Sequence, residues 1–98
     1  MINKETILNT LLLHKPDFAK LGVQHVGLFG SYASGEATEK SDIDILIDFE
    51  PEKESFDNFM AVYDLFESLF RSKHVEVVTR NGLSKHIGPK ILSEVLYV

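Results

Sequence analysis

Residues 30–44 hold the side chains best placed to do chemistry: Gly30-Ser31, ten residues, then Asp42-Ile43-Asp44. On an extended strand residues i and i+2 project to the same side, so Asp42 and Asp44 set two carboxylates close together. Left alone the pair repels, and hard oxygen donors of this kind suit Mg²⁺. Glycine lets a ligand approach the backbone closely. Free amides at a helix start, with the Ser31 hydroxyl, form an anion site. Each motif alone also has an ordinary reading, a strand-to-helix turn in one case and a solvated acidic strand start in the other. Glu76 lies within the otherwise apolar Val75-Glu76-Val77-Val78. It is either a solvent-facing charge or a third carboxylate from the next strand. Three such groups are what a two-metal clamp on the attacking and leaving oxygens of an in-line displacement requires.

Other reactive types carry less. His14, His25, His74 and His86 fall on separate elements with no ligand spacing between them, and read as structural or exposed. Tyr32 could stack on a base or pack locally. Arg80 and Lys85 follow the Glu76 strand and could reach a phosphate or simply solubilise the surface.

The elements that must position these residues are legible from periodicity. A first helix starts at the cap Asn3, with Ile7, Leu8, Leu11 and Leu12 as its apolar stripe and Pro16 ending it soon after. Residues 24–30 alternate as a strand, with Gly27 and Phe29 opposite Val26 and Leu28. A short helical turn follows through Tyr32 and Ala33. Residues 42–49 form a second strand, Ile43, Ile45, Ile47 and Phe49 on one face, Asp42, Asp44, Leu46 and Asp48 on the other. Ser55 caps a long helix with Phe56, Phe59, Val62, Tyr63, Phe66 and Leu69 or Phe70 inward. Residues 74–79 are a third strand, Asn81-Gly82 a turn, and Pro89 opens a closing helix with Ile91, Leu92, Val95 and Leu96 on its buried stripe. The long helix is a crossover between parallel strands, whereas 31–41 can join antiparallel neighbours. The expected fold is α/β (α+β), a small mixed sheet with helices packed mainly on one face.

Composition bounds the function. The 98 residues are 44% hydrophobic and 26% charged, a single domain over residues 1–98. With no cysteine there are no disulfides, thiolate metal sites or cysteine nucleophile. No apolar run reaches the length of a membrane span and the N-terminus is no signal peptide, so a cytoplasmic protein without membrane partners is expected. The net charge of -5 argues against direct nucleic-acid binding. The middle of the chain is acidic and residues 71–98 are basic, which suits cations and phosphates or an acidic partner respectively.

Gly30-Ser31-Tyr32-Ala33-Ser34-Gly35, with Ser41-Asp42-Ile43-Asp44-Ile45-Leu46-Ile47, resembles the signature of the minimal nucleotidyltransferases (MNT) of the DNA polymerase β superfamily. The short length and the 74–84 stretch resemble the MNT members paired with HEPN proteins. The resemblance implies nucleotidyl transfer from a nucleoside triphosphate, ATP in the adenylylating members. Gly30 and Ser31 would hold the triphosphate. Asp42, Asp44 and Glu76 would hold two Mg²⁺ ions and form the catalytic set. Glu76 stands where the family usually has Asp, and Ser34 where many members have Arg. The resemblance further implies a toxin–antitoxin module, in which the chain transfers AMP to a tyrosine of a HEPN-type RNase toxin. The alternative is a non-catalytic antitoxin that blocks its partner sterically. The oligomeric state stays open.

Overall fold

The computed structural model describes residues 2–98. Asn3 caps helix α1 (Lys4–Leu13), its side chain accepting from the Thr6 amide at 2.9 Å. The helix buries Ile7 and Leu11 but leaves Leu12 57% exposed, so its core stripe is narrower than the pattern of leucines implied. Pro16 does not close this segment. It sits in the first turn of a second helix, α2 (Lys15–Lys20), where a missing amide hydrogen costs no helical bond. Phe18 pins α2 to the core against Phe66, ring centroids 5.0 Å apart.

Strand β1 (Val23–Phe29) leads directly into the short helix α3 (Gly30–Ser34), and a loop returns the chain to strand β2 (Ile43–Phe49). Ser55 caps helix α4 (Phe56–Leu69), accepting from the Asn58 amide at 3.1 Å. Val62 and Phe66 face the core, whereas Phe56 at the helix start is 78% exposed and off the expected stripe. Strand β3 (Val75–Thr79) follows, then a 3-10 turn at Arg80–Gly82, helix α5 (Gly88–Glu94) and a short strand β4 (Leu96–Tyr97). Leu96 therefore belongs to a strand rather than to the stripe of α5, and Leu92 stays at the rim.

The sheet runs in the order β3-β2-β1-β4. β1 is antiparallel to both β2 and β4, and β2 is parallel to β3 through the α4 crossover. The alternation along β2 explains the layering. Ile43, Ile45, Ile47 and Phe49 point into the main core with residues of α1, α2 and α4. Each such fully buried aliphatic side chain contributes about 1.5–3 kcal/mol. The other face carries a smaller cluster of Phe29, Leu46 and Ile91, with Val78, Leu83 and Val95 around it. Helices thus lie mainly on one face, and only α5 covers part of the other. Gly27 permits this approach: a Cβ there would meet Val95 Cγ2 at 2.6 Å and the Leu96 carbonyl oxygen at 3.0 Å.

Candidate active site

The strand register fixes the site. Phe29 pairs with Asp44, and Asp44 with Glu76, giving one row across three strands on the thinly covered face. Neighbouring strands lie roughly 4.8 Å apart, so the Asp44 and Glu76 side chains leave the sheet side by side. The next row is Gly27, Leu46 and Val78, and this is the row that α5 covers. In the row with the two carboxylates Phe29 also clusters with Ile91, Asp44 is half-buried, and the Glu76 end is exposed. This row borders a cleft of about 500 Å³ that Asp44 and Glu76 both line.

Gly30 stands at the end of β1 with φ 74, a left-handed conformation that L side chains rarely adopt. A Cβ on Gly30 would overlap Asp44 Oδ2 and lie 2.9 Å from Asp44 Cγ. The glycine therefore makes room first for the Asp44 carboxylate. Ser31 follows the glycine in the first turn of α3, where amides lack internal partners. Its carbonyl oxygen accepts from the Glu36 amide at 2.9 Å and from the Ser34 hydroxyl at 3.2 Å. Ser34 thus folds back onto its own helix and adds no cation to the site. Gly35, with φ 84, ends the helix. Tyr32 is buried in the main core, which settles its two readings for local packing.

Asp42 lies just before β2 and is exposed. Its loop is tied down by a residue the motif search missed. Lys73 Nζ donates to the Glu39 carbonyl oxygen at 2.5 Å and to the Ser41 carbonyl oxygen at 3.3 Å, and sits 5.7 Å from the centroid of the Tyr32 ring. Ser41 Oγ accepts from the Thr38 amide at 2.8 Å. A lone lysine before a strand carries no sequence signal for this role. Lys73→Met keeps the aliphatic stem and removes charge-assisted bonds worth about 1.5–3 kcal/mol each. We expect it to loosen the 39–41 loop and to lower overall stability by about 1–3 kcal/mol, less than the sum of the two bonds because the lysine head is partly in water. A thermal melt, with amide exchange in residues 38–42, checks this.

The electrostatics single out Asp44. Burial raises its pKa above the ordinary carboxylate value, the charges of Asp42 and Glu76 raise it further, and His74 partly opposes them. His74 Nε2 is 3.6 Å from Glu76 Oε2, so one histidine does belong to the site's surroundings. Same-side spacing from Glu76 was the available signal, masked by the search for histidine pairs. Arg80 instead faces Asp48, with Nη1 to Oδ2 at 3.9 Å. Among the described residues the acidic side chains share a face and an edge without closing into a three-residue ligand set. Oxygen donors of like charge, one of them with its pKa raised by burial and by the others, nevertheless match what a hard divalent cation relieves.

Comparison with known proteins identifies the family and the fold. A family model described as nucleotidyltransferase domain matches residues 12–98. Protein adenylyltransferase MntA of Thermococcus cleftensis is 39% identical over 99 residues, spanning 100% of this chain and 98% of the relative. A solved structure described as a minimal nucleotidyltransferase superposes with TM-score 0.82 at 28% identity, over 97% of this chain and 95% of that one. A toxin–antitoxin structure with AMP-PNP shares the fold, with TM-score 0.67 at 21% identity over 98% of this chain and 72% of that one.

Proposed function

Because this chain belongs to the nucleotidyltransferase domain family, we propose that it moves AMP from ATP to a hydroxyl of a partner protein. The partner we propose is a HEPN-type RNase toxin, the acceptor a tyrosine, and the setting the cytoplasm. The observation that carries the reading is the cross-strand row that puts Asp44 beside Glu76, with Gly30 abutting Asp44 and Asp42 two residues upstream. The adenylyltransferase name of the Thermococcus cleftensis relative supports the choice of AMP.

In the proposed reaction the acceptor oxygen bonds to the α-phosphorus and the α–β bridging P–O bond breaks. Pyrophosphate leaves, and the hydroxyl proton passes to a carboxylate or to solvent. Catalysis of this kind is mostly positioning and charge stabilisation. Gly30 and Ser31 would hold the triphosphate; Asp42, Asp44 and Glu76 would hold two Mg²⁺ ions, whose charge would neutralise that developing on the phosphates. Glu76, on the far strand, serves the acceptor side. We expect Glu76→Gln to cut turnover at least about a hundredfold while ATP affinity changes little, as for loss of a group that acts in the transition state. Single-turnover kinetics beside nucleotide titration separate the two.

The test of the function is direct. The purified protein is incubated with α-labelled ATP, Mg²⁺ and a co-expressed HEPN-type partner, and each chain is examined for label. We expect label on the partner, at tyrosine, and none with Asp42→Ala. A steric antitoxin is the second reading, favoured by Ser34, whose hydroxyl leaves the phosphate side without a cation. That reading replaces the first if Asp42→Ala suppresses toxicity as well as the wild type does.

A further inference from the structure

We infer that the cleft beside Glu76 receives the aromatic side chain that carries the acceptor hydroxyl, and that Leu83 and Ile87 select it; this rests on the transferase reading above. The cleft of about 500 Å³ is lined by Asp44 and Glu76 together with Phe29, Leu83, Ile87 and Ile91. That volume is in the range of small-ligand sites. Gly30, Ser31 and Asp42 do not line it. Asp44 therefore separates two approaches: the start of α3 on the β1 side and the cleft on the β3 side.

In-line displacement places the attacking and leaving oxygens on opposite sides of the phosphorus. With pyrophosphate leaving over Gly30-Ser31, the attacking oxygen comes from the Glu76 side, and that side opens into the cleft. The walls decide what can carry the oxygen. Thr79 and Ser84 are the polar walls beyond the carboxylates, and their hydroxyl oxygens already accept from the Gly82 and Ile87 amides, so a sugar laid against Leu83, Ile87 and Ile91 would lose more hydrogen bonds than it regains. A phenol lays its ring on those apolar side chains and keeps one polar atom, beside the carboxylates. A serine hydroxyl is too short to use the walls. Ile87 stands at the rim, 53% exposed although it faces an apolar cleft, and so has contact area to gain from a ring.

The experiment is a set of ¹⁵N–¹H correlation titrations of the labelled chain with four probes: AMP-PNP plus Mg²⁺, N-acetyl-L-tyrosinamide, N-acetyl-L-serinamide, and adenosine. We expect AMP-PNP to move the amides of residues 30–35. N-acetyl-L-tyrosinamide should saturably move those of Leu83, Ser84, Ile87 and Ile91, and N-acetyl-L-serinamide should leave them in place. Ile87→Asp, at a position exposed enough to keep the fold, should weaken tyrosinamide binding about tenfold and retain the AMP-PNP shifts. Adenosine moving the Leu83–Ile91 amides and displacing tyrosinamide overturns the inference, because the cleft is then a base pocket. Tyrosinamide leaving these amides unmoved overturns it too. AMP-PNP failing to move residues 30–35 overturns the transferase reading beneath it.

Discussion

Asp44→Asn should abolish nucleotidyl transfer and at the same time make the protein more stable at neutral pH. The two effects have one cause. Folding buries the Asp44 carboxylate beside Asp42 and Glu76, which raises its pKa. A raised carboxylate pKa means the folded state keeps the proton to higher pH than the unfolded chain does. Stability therefore falls as pH rises from the ordinary carboxylate value through the raised one, and above that window the full penalty remains. Asparagine removes the charge and its penalty. The site is only partly buried, so the gain is about 1 kcal/mol or less, a shift of a few degrees in a domain of this size. Melts of both proteins at neutral and acidic pH should show the difference at neutral pH shrinking as pH falls. Transfer should drop by about a thousandfold or more, the scale of losing a group aimed at developing charge. An active Asp44→Asn protein would remove Asp44 from the site; an inactive one with a lower melting point would contradict the electrostatic account.

Gly30→Ala should inactivate with the opposite effect on stability. The new Cβ would overlap Asp44 Oδ2 and stand 2.9 Å from Asp44 Cγ and 3.2 Å from its Cβ. Alanine also takes on a φ of 74, which costs an L residue about 1–2 kcal/mol. Overpacking adds about 1–3 kcal/mol, so a total loss of a few kcal/mol is expected from denaturant unfolding. Asp44 must swing aside, and both transfer and ATP affinity should fall together. A double-mutant cycle isolates the contact. With Asp44→Ala already in place the overlap is gone, so Gly30→Ala should then cost only its backbone share. Simple additivity in that cycle would show that the glycine does not answer to Asp44.

Sequence reasoning reached the frame of this site through alternation. Period two along 42–49 put Asp42 and Asp44 opposite Ile43 and Ile45; the strand register agrees for Asp44, whereas Asp42 precedes the strand and pairs with nothing among the described residues of the sheet. Caps at Asn3 and Ser55 marked two helix starts within a residue, because their side chains bond locally. The misses were tertiary. α2 was hidden by Pro16, which reads as a terminator unless Phe18 is known to reach Phe66. β4 is two residues long, and its pairing with Gly27 and Leu28 is not encoded in any local pattern. Phe56 reads as core by spacing but falls on the first turn of α4, beyond the edge of the packed layer. Lys73 and Gly30 owe their roles to contacts with residues distant in sequence, which composition and spacing do not report.

The strand order has a kinetic side. Gly30, Asp42 and Asp44 lie on or beside β1 and β2, two strands each flanked by neighbours, whereas Glu76 rides on β3, which has a partner on one side only. Edge strands open more readily than the strands they border, so amide exchange in Val75–Thr79 should outpace that in Ile43–Phe49. Each such opening detaches one carboxylate and leaves the other two in place. The fraction of time spent whole is then set by the fraying of a five-residue ribbon, and any contact that clamps this border raises the working population without touching a reacting atom.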